Sequence, residues 1–210
     1  YEGLKRRLLA AGFRQGRVPH RLEYGTAEID LNPYSRALAP GDILEWPGQD
    51  RAMSTLGFEE AFESARPEQV GDLVVPMASL AACVLLKFVA YSDRPPERVR
   101  DLIDIIHCFE HYGDEPDARR YEIGEVEVDA TPVSYDEAGA HLLAQEVAAL
   151  ARRESLATVR GVLASIDDEY ARPIQQILAE ERRLLDDDDT RRRALYRLFR
   201  VFSAGLDSAA

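Results

Sequence analysis

The stretch LLKFVAYSDRPPERVRDLIDII, Leu85 to Ile106, sets one lysine inside an apolar run, breaks at a double proline, and resumes as an amphipathic run. Ser79 caps a first helix that stops at Pro95-Pro96, and a second helix is predicted from about Glu97 to Tyr112, ended by Gly113. Burying an ammonium without a partner is expensive, so Lys87 either snorkels to water or meets an anion. Asp93 and Arg94 close the first helix, and Arg100, Asp101 and Asp104 follow on the second. The i,i+4 spacing sets Arg100 against Asp104, Asp101 and Asp104 share a polar strip, and Leu102, Ile103, Ile106 and Phe109 form the apolar side. Two readings follow. One is a salt-bridge network that locks two helices together. The other is a lysine reaching a nucleotide phosphate while acids and arginines orient it.

Upstream, residues 2 to 11 predict a short amphipathic helix ended by Gly12. Strands are predicted at Arg21–Tyr24 and Ala27–Leu31, joined by a tight turn at Gly25-Thr26. On the second strand Ala27, Ile29 and Leu31 share one face, and Glu28, Asp30 and Asn32 share the other. Period-two spacing lets Glu28 and Asp30 share a divalent ion, although alternating acids also mark any solvated strand. A Pro- and Gly-rich excursion follows, with a short strand at Ile43 to Trp46, a helical turn at Phe58 to Ser64 and a strand at Asp72 to Pro76.

Downstream, residues 113 to 133 are acidic and irregular, with strand-like alternation from Ile123 to Val128. From Tyr135 onward everything reads as helix. Strands alternating with helices, then helices alone, predict an α/β or α+β front half; the expected fold class is α+β, a mixed sheet with helices followed by a helical C-terminal part. The expected pieces are 1–76 as an α/β core, 77–133 as a helical pair with an irregular segment, and 134–210 as a helical domain. That last domain could inhibit or oligomerise the chain.

At 210 residues with 46% hydrophobic and 30% charged content, this is a globular chain. No window reaches the ~20 apolar residues that a membrane span requires, and no secretory signal opens the sequence, so a cytoplasmic protein is expected. A net charge of −12 excludes a general nucleic-acid footprint, while a small nucleotide remains accessible through Mg²⁺. Cys83 and Cys108 lie in apolar helical contexts and read as buried, reduced thiols. His107 and His111 have zinc-helix spacing, but no Glu follows His107 as in a metalloprotease, so they read as a helix-end pair near a favourable dipole. Trp46 reads as a packing anchor, Gly139 as a close helix–helix contact, and Asp186 to Asp189 as acids preceding the last helix. No Ser-His-Asp order, P-loop or dinucleotide glycine pattern is present.

Four pieces in order resemble the AbiEii-type nucleotidyltransferases, a branch of the polymerase-β-like superfamily that includes type IV toxin–antitoxin toxins. HRLEYGTAEIDLNPYS resembles the strand bearing a metal-binding carboxylate, which implies that role for Asp30. ILEWPGQDRAMSTLGFEEAF resembles the connecting segment. VVPMASLAACVLLKFVAYSDR resembles the helix with the family's lysine, matched by Lys87, and its Asp-Arg end, matched by Asp93 and Arg94. VRDLIDII resembles the Lys/Arg-Asp-x-x-Asp helix, matched by Arg100, Asp101 and Asp104. Together they cover roughly residues 4 to 112.

The resemblance implies transfer of a nucleoside monophosphate from a nucleoside triphosphate to a hydroxyl of RNA, protein or a small molecule. It implies two Mg²⁺ ions, Asp30 and Glu28 as ligands, Lys87 as the catalytic and triphosphate-neutralising amine, and Arg94, Arg100, Asp101 and Asp104 as nucleotide-binding residues, with a paired antitoxin as partner. Such enzymes also carry a Gly-Ser element and an Asp-x-Asp strand ahead of the third carboxylate. The residues preceding Asp30 contain no Asp. The chain begins with Tyr1 rather than Met, so that element is expected upstream. The alternative is a non-catalytic relative in which Asp30 and Lys87 are structural ion-pair residues.

Overall fold

The computed structural model describes residues 1–45, 52–113, 119–123, 126–181 and 188–208. Internal contacts divide the chain at residues 55/56, rather than at 76/77, into one unit of Tyr1–Thr55 and a second of Leu56–Ala210.

In the first unit, helix α1 (Glu2–Ala10) precedes a three-stranded antiparallel sheet of β1 (Arg14–Gln15), β2 (Arg21–Tyr24) and β3 (Ala27–Asp30). The hairpin pairs Tyr24 with Ala27 and Arg21 with Asp30, and Gly25 takes the positive φ of 59° that the two-residue turn requires. Strand β1 is too short to show a period in sequence. Residues 43–45 form β4 (Ile43–Glu45), paired with β5 (Ala52–Ser54). Trp46, Pro47 and Gly48 lie outside the described residues. The buried apolar side chains described in this unit are Leu22, Ala39 and Leu44. Ile29, expected on an apolar face, is exposed with the rest of β3.

The second unit opens with α2 (Phe58–Glu63) and a hairpin of β6 (Arg66–Val70) and β7 (Leu73–Met77). Sequence reading catches β7 and misses β6, because Arg-Pro-Glu-Gln has neither apolar alternation nor β-branched residues. Helix α3 (Leu80–Asp93) starts where Ser79 Oγ accepts from Ala82 N at 3.2 Å and ends ahead of Pro95. Helix α4 (Val99–His111) runs beside it. A short α5 (Arg119–Glu122) and the two-residue hairpin strands β8 (Glu127–Val128) and β9 (Thr131–Pro132) occupy the acidic segment, with β8 at the end of the stretch read as strand-like.

Four helices follow: α6 (Tyr135–Leu150), α7 (Arg153–Ala164), α8 (Arg172–Glu181) and α9 (Asp188–Ser208). A Ser134/Glu137 capping box opens α6. Asp188 and Asp189 form the first turn of α9 rather than preceding it, still at the end where the dipole favours acids; residues 186–187 of that tract lie outside the described ones.

The core joins the expected middle and C-terminal pieces. Phe88 of α3, Phe109 of α4 and Phe202 of α9 are fully buried, with Phe109 stacked on Phe202 at 4.7 Å and Phe88 5.4 Å from Phe202. Leu143 and Val147 of α6 belong to the same cluster. Gly139 is the close contact that its position predicts: a Cβ there would lie 2.3 Å from the Phe109 carbonyl oxygen. The fold is α+β, its strands paired antiparallel in small sheets and its C-terminal part helical.

Candidate active site

Lys87 meets anions rather than snorkelling away from them. Its Nζ donates to Asp104 Oδ2 at 2.5 Å and to Asp101 Oδ1 at 3.3 Å, so α3 and α4 share a charged seam beside their apolar contact. Asp101 is buried, and only 10% of its side chain is exposed. A carboxylate that deep needs compensation from more than one cation. Arg98 supplies the second, with Nε 2.6 Å from Asp101 Oδ2. In that contact the N–H does not point at the oxygen, so charge is balanced but the hydrogen bond is unformed. Burial pulls the Lys87 ammonium down. The hydrogen bonds and charges of Asp104 and Asp101 together outweigh it and hold its pKa above the ordinary lysine value.

The expected Arg100–Asp104 pair does not form. Arg100 lies 3.9 Å from Glu180 instead, with 87% of its side chain exposed. The reason is competition: Asp104 turns to the ammonium of the neighbouring helix, leaving Arg100 on the solvent side. Arg94 sits about 10 Å along α3 from Lys87 and contacts Asp93 at 3.6 Å and Glu97 at 3.7 Å. Of the residues singled out from sequence in this unit, the structure brings together Lys87, Asp101 and Asp104. It adds Arg98, whose i,i+3 spacing to Asp101 is the signal that could have found it.

In the first unit, Asp30 and Glu28 converge on one cation, Arg21. Arg21 Nε and Nη2 donate to the two Asp30 oxygens at 2.8 and 2.9 Å, and Nη1 lies 2.9 Å from Glu28 Oε2. Register explains it: Arg21 stands opposite Asp30 across the hairpin and reaches diagonally to Glu28. The fork-to-fork hydrogen bond from Arg21 holds the Asp30 carboxyl below its ordinary range, against a smaller opposing effect of burial.

A cleft of about 790 Å³ opens two helical turns from Lys87, at the N-terminal end of α3, and Lys87 is not among its lining residues. Arg66, Tyr112, Arg119 and Glu146 contribute its polar wall. Burial, followed by a hydrogen bond to Glu146, pushes the Tyr112 hydroxyl up to about 12, so it stays protonated at neutral pH. Cys83 and Cys108 are free thiols, half-buried rather than fully buried. Among the described residues, no helix is long and apolar enough to cross a membrane.

A lone lysine in an apolar helix, held by the two acids of an Arg-Asp-x-x-Asp helix and preceded in the chain by a carboxylate-bearing hairpin, is the ordered set whose resemblance points to a nucleotidyltransferase. The comparison with known families agrees: the chain belongs to the family described as "Nucleotidyl transferase AbiEii toxin, Type IV TA system", whose profile matches residues 14–197. The match extends beyond the four short pieces to take in α6, α7, α8 and the first half of α9. No curated protein and no solved structure gives a significant match.

Proposed function

We propose that this protein transfers a nucleoside monophosphate from a nucleoside triphosphate to a hydroxyl of RNA, protein or a small molecule, as a toxin controlled by a paired antitoxin. The observation that carries the reading is the family match across residues 14–197, into which the Lys87–Asp101–Asp104 cluster falls. An ammonium has three donors, and the two acids occupy two of them, which leaves one for a phosphate oxygen. Lys87 and Arg98 against Asp101 and Asp104 sum to zero charge. A triphosphate therefore needs a divalent ion to neutralise it there.

Mg²⁺ fits the donors of β3 in chemistry, since Glu28 and Asp30 offer hard oxygens that already converge on one cation. Arg21 holds that place through exposed ion pairs, which are worth about 0–1 kcal/mol, so an incoming ion can displace it. When bound, two Mg²⁺ ions would polarise the transferred phosphorus and stabilise the entering and leaving oxygens. In this reading Asp30 ligates the metal. Lys87 neutralises and orients the triphosphate, and Asp101 and Asp104 hold the amine in place.

The test is a titration of the full chain with ATP, CTP, GTP and UTP plus Mg²⁺, beside Asp30→Ala and Lys87→Gln. Binding by the wild type that weakens about tenfold or more in each variant supports the reading. Wild type and variants binding equally poorly would reject it.

A second reading is favoured by the pairing itself: both Asp30 oxygens are taken by Arg21, and Lys87 is held by two acids. In that case the fold serves as a non-catalytic interaction module. Arg21→Ala separates the two readings. Freed carboxylates should bind Mg²⁺ more tightly in the enzyme, and their release should change only stability in the module.

A further inference from the structure

The last turn of α4 carries His107, Glu110 and His111, and one ligand atom from each lies within 4.8 Å of the other two. The two histidines alone are an i,i+4 pair, with ring centroids 4.4 Å apart. What the structure adds is Glu110, whose carboxylate comes within 4.8 Å of a ring nitrogen of each. Its Oε1 accepts from Arg191 Nη1 at 2.7 Å, and Arg191 is itself fixed by Glu181 at 2.9 Å. The carboxylate is thereby oriented, and its second oxygen has no partner among the described residues. An outer group that holds a ligating carboxylate in this way is a regular part of metal sites. The C-terminal end of a helix also carries the negative pole of its dipole, which favours a cation at this position.

We propose that His107, Glu110 and His111 bind a first-row divalent transition ion of the Zn²⁺ class. Two imidazole nitrogens and one carboxylate oxygen suit Zn²⁺, Co²⁺ or Ni²⁺ and do not suit Mg²⁺, which takes oxygen donors. Three protein ligands leave one tetrahedral position for water. The site is separate from the Lys87 cluster: Asp104 and Glu110 are about 9 Å apart along the helix axis. It therefore stands or falls independently of nucleotidyl transfer. The positive charge of Arg191 opposes the ion, so affinity should fall short of that of a closed structural site.

The test uses the full chain stripped with a chelator and titrated with Zn²⁺ by calorimetry, without nucleotide or Mg²⁺. A parallel Co²⁺ titration is read by its visible absorption. One ion per chain is expected, with Co²⁺ bands of a four-coordinate site. His107→Ala and His111→Ala should each weaken binding about tenfold or more and abolish the bands. Both histidines are exposed, so far-ultraviolet circular dichroism should be unchanged. Glu110→Gln, which keeps an acceptor for Arg191, should weaken binding without unfolding. Asp30→Ala should leave Zn²⁺ binding intact whether or not nucleotide binding survives. The proposal is overturned if the wild type shows no one-to-one binding, or if the histidine variants bind as the wild type does.

Discussion

Lys87 shows what a single residue in a sequence can and cannot say. Its presence in an apolar helix announces a buried cation that needs an anion, and the anions prove to be two of the residues that flank it in the motif. The sequence could not rank Asp104's suitors, because i,i+4 geometry favours Arg100 while the neighbouring helix offers a closer and drier partner. His141 is the opposite case. Sequence gives it no partner, and the structure agrees: it is 3% exposed and its Nδ1 is unsatisfied. Burial holds its pKa below the ordinary histidine value. The unfolded chain therefore takes up a proton before the folded one does. The stability tied to His141 is fully present above about pH 6.5 and is lost as pH falls towards the depressed folded value. Urea midpoints measured from about pH 7.5 down to about pH 5.5 should fall, and His141→Gln should flatten that dependence.

Among elements, boundaries written in capping chemistry were legible: Ser79 before α3, the double proline after it, Gly12 after α1 and the Gly25 turn. Elements without such marks were not. Strand β6 is polar, and β1, β9 and α5 are too short to show a period, whereas β8 falls within the alternating stretch Ile123 to Val128. Another hidden feature is the lock between α2 and α7. Buried Glu60 accepts from Ser155 Oγ at 2.5 Å and from Arg152 N at 3.3 Å, satisfying the start of α7 from a distant helix. No local pattern announces a cap supplied from ninety residues away. Glycine positions give the sharpest test at this scale. Gly139→Ala would drive a Cβ into the carbonyl oxygens of Phe109 and Tyr112, at 2.3 and 2.7 Å, and should lower stability by about 1–3 kcal/mol or more. Gly161, inside α7, has nothing within 4 Å of such a Cβ, so Gly161→Ala should raise stability by roughly 0.5–1 kcal/mol. Chemical denaturation of the two variants should move in opposite directions.

For the whole molecule, the class was readable from the order of strands and helices, but not how its hydrophobic surface is shared. Helices read as a separate C-terminal domain instead close the core around Phe88 and Phe109. Removing the chain from Ser134 onward would strip Leu143, Val147, Phe199 and Phe202 from that core. The remainder should lose its helical dichroism and cooperative unfolding, and survival of a compact, cooperatively folded fragment would contradict this packing. Because α9 supplies Leu195, Leu198, Phe199, Val201, Phe202 and Leu206, a ribosome translating this chain holds an unfinished interior until the last helix has been made. Phe88, the neighbour of Lys87 on α3, therefore waits for its ring partner Phe202 until α9 has been made.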